Sequence, residues 1–169
     1  MKNKIFLDVK PFQEKLYHSY CGPATLKILL RYYGIEKSEE EIASMAGWDK
    51  DLGIDDKGIK KVAEKLSFKV KIKDHSNFKD IEGWLKKDIP VIVNWFTRGR
   101  NDYPESETAD GHYSVVMGLD DGFIYLQDPE VGRMRKIKRY DFMRVWFDFK
   151  GDYLKPNELV IRQIIAIYK

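Results

Sequence analysis

The sequence predicts an α+β fold, with helices in the first half of the chain and antiparallel strands in the second. Three observations carry this. Before residue 90, apolar residues recur at three- and four-residue spacing behind capping and proline signals. After it, short apolar runs alternate with turn chemistry. Two of those runs flank Asp120-Asp121-Gly122, a strong hairpin signal. At 169 residues the chain reads as one domain over 1–169, long enough to bury a real core.

Residues 3–8 suit a short strand. Pro23 fits a first helical turn, where a missing N–H costs nothing. Leu26, Leu29, Leu30 and Tyr33 then mark one buried helix face, and Gly34 supplies the stop. Ser38 and Glu41 are spaced as a capping box ahead of Ile42 and Met45. Asp55 or Asp56 can cap the next helix, whose buried face is Ile59, Val62, Ala63 and Leu66. Phe68, Val70 and Ile72 alternate with lysines as in a half-buried strand. Ile81, Trp84 and Leu85 indicate a short helix that ends before Pro90. Residues 91–96 form a compact apolar run, read as a central strand. A polar loop over 98–111 follows, carrying Asp102, Glu105, Glu107 and Asp110. Residues 112–119 and 123–127 are the two arms of the hairpin, and 134–138 a further strand. Residues 140–149 have helical spacing at Phe142, Val145, Trp146 and Phe149, and the isoleucine-rich 159–168 reads as one closing strand.

Several function classes drop out on composition. Thirty basic against 27 acidic residues leave a net charge of +3, too weak a field to argue for nucleic acid. The start, Met-Lys-Asn-Lys-Ile-Phe-Leu-Asp, lacks the apolar core of a secretory signal, and no run approaches a membrane span. One cysteine cannot form an internal disulfide and suits a reducing compartment, so the expected location is cytoplasmic. Neither metal-ligand spacing nor a phosphate-cradling glycine motif is present, so no cofactor is expected. The run 133–139, rich in Arg and Lys, reads as the solvated face of an edge strand. Trp48, Trp84, Trp95 and Trp146 read as core or cleft wall.

The chemistry gathers around Cys21. It opens a helix, where unpaired backbone N–H groups and the positive end of the helix dipole favour a thiolate. His112 begins a core strand directly after Gly111, and the next strand ends at Asp128-Pro129. A three-residue turn over 120–122 sets Asp128 opposite Ser114 and diagonal to His112, within reach of its ring. A two-residue turn moves Asp128 to the other face. The favourable register gives a nucleophile, a base and an orienting carboxylate. Oxyanion donors are the Cys21 N–H and the side-chain amide of Gln13, eight positions upstream. Taken singly, each piece has a plain structural reading. The joint pattern is what points to a cysteine-dependent enzyme.

Three blocks, Cys21-Gly22-Pro23-Ala24-Thr25-Leu26 with Tyr32-Tyr33-Gly34, Gly111-His112-Tyr113-Ser114-Val115-Val116-Met117-Gly118-Leu119-Asp120, and Gln127-Asp128-Pro129, resemble the C39-like cysteine peptidases. These are a branch of the papain-like fold that includes bacteriocin-leader processing domains. The stretches 58–66 and 90–93 resemble the family's second core helix and first core strand. The resemblance implies a papain-like fold, nucleophile Cys21, base His112, orienting Asp128 and oxyanion donor Gln13. Tyr20 stands where leader-processing members usually carry an aspartate, and Gln13 lies further from the cysteine than the family's glutamine tends to. The implied activity is hydrolysis of a peptide or small amide through a thioester acyl-enzyme. Acyl transfer by the same triad, and a non-catalytic peptide-binding module, remain the alternatives.

Overall fold

A computed structural model describes residues 4–15, 19–97, 110–150 and 155–169. The elements follow in chain order. Strand β1 (Ile5–Phe6) leads to helices α1 (Cys21–Tyr32), α2 (Glu39–Ala46) and α3 (Asp56–Lys65), then β2 (Lys69–Lys73) and α4 (Phe78–Leu85). The second half holds β3 (Val91–Thr97), β4 (Asp110–Leu119), β5 (Phe123–Asp128), β6 (Arg133–Lys138), α5 (Arg139–Val145), β7 (Phe147–Phe149), β8 (Leu159–Ile161) and β9 (Ile164–Tyr168). Among the described residues, one antiparallel sheet runs β2-β9-β3-β4-β5-β6, with β1 also paired to β4, and β7 and β8 form a separate pair.

The helix starts follow the local chemistry. Ser38 and Glu41 close their capping box at α2, and Asp55 caps α3 by accepting from the Gly58 N–H at 2.8 Å. Asn77 and Asp80 make a second capping box at α4, a signal in the sequence that the helical periodicity overshadowed. Tyr20 precedes α1 without a side-chain cap hydrogen bond, so among the described residues no side chain caps the helix start that Cys21 occupies. Gly34 takes a positive φ of 77°, as a helix stop requires. Leu26, Ile28, Leu29 and Leu30 of α1 are wholly or almost wholly buried, and they pack into one core with Ile59, Val62, Val91, Ile92, Val115 and Ile165.

Two expected elements are divided. The helical spacing over 140–149 holds only to Val145. Trp146 leaves helical geometry (φ −81°, ψ 66°), and Phe147–Phe149 pairs with β8 instead. The closing strand breaks at Arg162, whose φ of 49° turns the chain, so Leu159–Ile161 pairs with β7 and Ile164–Tyr168 with β2 and β3. The Trp146 carbonyl accepts from the Arg162 N–H at 3.0 Å, and its indole N–H donates to the Gln163 carbonyl at 3.1 Å. Burying one tryptophan at the junction of both breaks outweighed the local periodicity. The expected loop over 98–111 also ends early, because Asp110 and Gly111 already pair with Thr97 and Phe96. Its acidic residues Asp102, Glu105 and Glu107 lie outside the described residues.

The register of β4 against β5 departs from the expected turn yet reaches the expected alignment. The connection holds two residues, with the Asp120 N–H donating to the Phe123 carbonyl at 3.0 Å and Leu119 opposite Ile124. A β-bulge between Val116 and Gly118 then shifts the pairing by one, so Val116 faces Leu126 and Val115 faces Gln127. The carbonyl of the bulged Met117 accepts from the Leu7 N–H at 2.7 Å, which brings β1 onto the strand. Gly118 lacks a side chain where Phe6 packs, and a Cβ there would meet the ring. The bulge thus restores Asp128 to the face of His112.

Candidate active site

Helix α1 and strand β4 bring the two halves of the site together. Cys21, half-buried and free, is the first residue of α1. One turn later Thr25, wholly buried, donates its hydroxyl to the Tyr113 carbonyl at 2.9 Å. This bond ties the cysteine helix to the strand residue next to His112. Gly22 is buried against Ile54 so closely that a Cβ would collide with that side chain. The loop before α3 therefore clamps the start of α1.

His112 is buried at 5% exposure, with Trp95 opposite it on β3 and the two rings edge-on at 5.8 Å. Its Nε2 lies 2.6 Å from Asp128 Oδ1. The Cys21 thiol also acts on the ring and favours its protonated form, and Asp128 engages Nε2 and leaves Nδ1 as the other ring nitrogen. Burial alone disfavours the imidazolium, but Asp128 and then Cys21 outweigh it and hold His112 well above its ordinary 6.5. Asp128 is buried at 1% exposure. Burial favours its neutral form, whereas His112, Arg135 and the Glu130 N–H favour the carboxylate and leave its pKa lowered. The Glu130 N–H donates to Oδ1 at 2.9 Å, and Arg135 Nε pairs with Oδ2.

Arg135 was expected on a solvated edge. Strand β6 is the sheet edge, but alternation turns Arg135 inward, over Trp95 at 5.8 Å and toward Glu130 Oε2 at 3.6 Å. Among the described residues, His112, Asp128 and Glu130 place one donor each within 4.8 Å of one another, close enough for a metal ion. The guanidinium of Arg135 already ion-pairs with both carboxylates.

Of the residues singled out from sequence, His112 and Asp128 meet in direct contact, and Cys21 is electrostatically coupled to His112. Gln13 does not join them. It is exposed, and its backbone and Cβ fill the space over Gly132 in the turn between β5 and β6. The side chain that faces the site from this segment is Glu14 instead, half-buried and electrostatically coupled to His112, Asp128 and Glu130. Alternation along an extended segment was the available signal for Glu14, and one-turn spacing from Cys21 was the signal for Thr25.

A helix carrying the thiol at its start, laid on an antiparallel sheet carrying the imidazole and carboxylate, defines a papain-like cysteine-peptidase scaffold. The chain belongs to the Peptidase_C39 like family, whose model matches residues 6–154, and so to the cysteine peptidase-like hydrolases. It is 32% identical over 127 residues to the lactococcin-G-processing and transport ATP-binding protein LagD of Lactococcus lactis subsp. lactis. That match covers 75% of this chain but only 16% of LagD. An uncharacterized protein of Methanothermobacter marburgensis is 30% identical over 138 residues, covering 79% of both chains. Among solved structures, the peptidase domain of Streptococcus ComA, a bifunctional ABC transporter involved in quorum sensing, superposes with a TM-score of 0.69 at 20% identity. The superposition covers 95% of this chain and 98% of that one. A putative C39-like peptidase from Bacillus anthracis gives 0.71 at 17% identity, over 99% and 98% of the two chains. A double glycine motif protease from an AMS/PCAT transporter, solved with a leader peptide, gives 0.63 at 18% identity, over 99% and 98%. No helix among the described residues is long and apolar enough to cross a membrane.

Proposed function

We propose that this chain is a thiol-dependent peptidase working through Cys21, His112 and Asp128. The observation that carries the reading is a buried imidazole whose Nε2 lies 2.6 Å from Asp128 Oδ1 and whose protonated form the thiol at the start of α1 favours. Cys21 Sγ attacks the scissile carbonyl carbon, and the tetrahedral oxyanion meets the Cys21 N–H at the start of α1. His112 Nδ1 delivers its proton to the leaving amine as the C–N bond breaks, giving a thioester. Water then attacks the thioester with His112 taking a proton, the carboxylic acid leaves, and the thiol is regenerated. Asp128 holds Nε2, so the ring keeps one orientation through both steps. The Gln13 amide is a second oxyanion donor only when its side chain turns in from the exposed position it occupies.

Peptides are the favoured substrate class, supported by a lactococcin-processing relative and by a similar fold solved with a leader peptide. Tyr20 replaces the aspartate usual in leader-processing members, so the test uses a mixed peptide library, double-glycine sequences included, read by mass spectrometry. Cleavage by the wild type that disappears in both Cys21→Ala and His112→Ala supports the reading. Cleavage that survives Cys21→Ala, or a wild type that binds peptides without cutting any, overturns it.

A further inference from the structure

The two residues before Cys21 take their backbone course from the loop that follows α2. Ser19 has a φ of 72°, a left-handed conformation that a residue with a Cβ rarely adopts. Such a conformation costs free energy and persists only where its surroundings fix it. Tyr20 returns to helical geometry (φ −90°, ψ −1°), and its carbonyl accepts from the Ala24 N–H at 3.0 Å. The turn at Ser19 therefore decides how the chain enters α1, and with it where Cys21 stands.

The contacts that hold Ser19 come from residues 48–53. The Trp48 indole N–H donates to the Ser19 carbonyl at 3.1 Å, and the Ser19 hydroxyl donates to the Asp51 carbonyl at 3.3 Å. Gly53 comes so near that a Cβ there would stand 3.0 Å from the Ser19 carbonyl oxygen. This loop is closed on itself. Asp49 and Gly53 exchange backbone hydrogen bonds at 2.9 and 2.8 Å, and Asp49 Oδ1 accepts from the Asp51 and Leu52 N–H groups at 2.8 and 3.0 Å.

Trp48 reaches the next residue as well, its ring tilted against that of Tyr20 with centroids 5.0 Å apart. The two rings line an open cavity of about 320 Å³ with Glu40, Ala43, Ser44 and Gly47, and Trp48 is only half-buried. Packing thus encloses part of the indole, and its N–H bond to Ser19 supplies the directional constraint that packing does not.

We propose that Trp48 is a positioning residue: by holding Ser19 left-handed and bracing Tyr20, it sets the start of α1 and so the placement of the Cys21 thiol for reaction. The proposal rests on the reading of Cys21 as the nucleophile, but its test needs no peptide substrate.

The test is the rate at which iodoacetamide alkylates Cys21, the single cysteine of the chain, at pH 7 in protein that circular dichroism shows to be folded. Trp48→Phe keeps a ring against Tyr20 and removes the N–H. Alkylation should slow by about tenfold in this variant, below the roughly 10²-fold that a misplacement of about 1 Å can cost. Adding Ser19→Gly to Trp48→Phe should recover most of the lost rate, because glycine holds a positive φ without help. A loss of packing alone would not be recovered. Ser19→Val, which opposes a positive φ while Trp48 is in place, should slow alkylation as Trp48→Phe does. An unchanged rate in Trp48→Phe, or a slowing that Ser19→Gly does not relieve, overturns the proposal. Should Trp48→Phe not fold, an unchanged rate in Ser19→Val overturns it on its own. Peptide cleavage that survives Cys21→Ala removes the proposed function and leaves this control of the thiol standing.

Discussion

The Thr25 hydroxyl donates to the Tyr113 carbonyl at 2.9 Å, with no exposure of the hydroxyl residue to solvent. Thr25 lies one helical turn from Cys21, and Tyr113 is the chain neighbour of His112. The bond sets how far the thiol stands from the ring.

Thr25→Val keeps the shape but removes a buried hydrogen-bond donor to the Tyr113 carbonyl, a loss of about 1 kcal/mol in chemical denaturation. Thr25→Ser, which retains the donor, should lose clearly less. Equal losses in both variants would mean that the methyl group, not the hydrogen bond, joins the helix to the strand.

Asp128→Asn removes the charge that holds His112 protonated and offers the ring a donor in place of an acceptor. Turnover should fall by about 10³–10⁴, the scale seen when a triad carboxylate is replaced by an amide. The His112 pKa should fall with it, read by NMR titration of protein with 15N-labelled histidine. Turnover within a few-fold of wild type would assign the orienting role to another group.

Much of this site was legible because its parts obey short-range rules. Cys21-Gly22-Pro23 announces a helix start, and Gly111-His112 and Asp128-Pro129 mark strand ends. The alignment of those ends was not legible in the same way. A two-residue turn alone would have put Asp128 on the wrong face, and the bulge at Met117 that corrects it depends on β1, more than a hundred residues upstream. Trp146 and Arg162 likewise divide two elements through a tertiary contact that no local pattern encodes. Gln13 matched a family role by residue type, yet along its segment Gln13 is exposed and Glu14 is the half-buried side chain.

Gly22 is required by the close approach of Ile54. Gly22→Ala should destabilise the protein and slow the alkylation of Cys21, because the start of α1 must shift. Ile54→Ala, itself costly at about 2–5 kcal/mol as a large-to-small core change, opens the space. In that background the added methyl of Gly22→Ala should cost little, giving a coupling above about 1 kcal/mol in a double-mutant cycle. Additive losses would place the constraint on Gly22 elsewhere.

Thermal stability should depend on pH with opposing signs at two carboxylates. Glu14 is raised, so its contribution is fully present below 4.5 and is lost as pH climbs through about 7. Asp128 is lowered, so its contribution is present above 3.8 and is lost as pH falls through its depressed value. Glu14→Gln should therefore raise Tm at pH 8, by no more than about 3 kcal/mol in free energy, and leave Tm at pH 4 unchanged. A variant equally stabilised at both pH values would trace the gain to packing rather than to charge.

The most direct measurement is the intact mass of the protein after rapid acid quench during turnover of an activated acyl ester. A covalent adduct equal to the acyl group should accumulate on the tryptic fragment containing Cys21. It should be discharged by hydroxylamine, as a thioester is, and be absent in Cys21→Ala. Substrate turnover with no adduct at Cys21, or an adduct of the same size in Cys21→Ala, would contradict a nucleophilic role for this thiol.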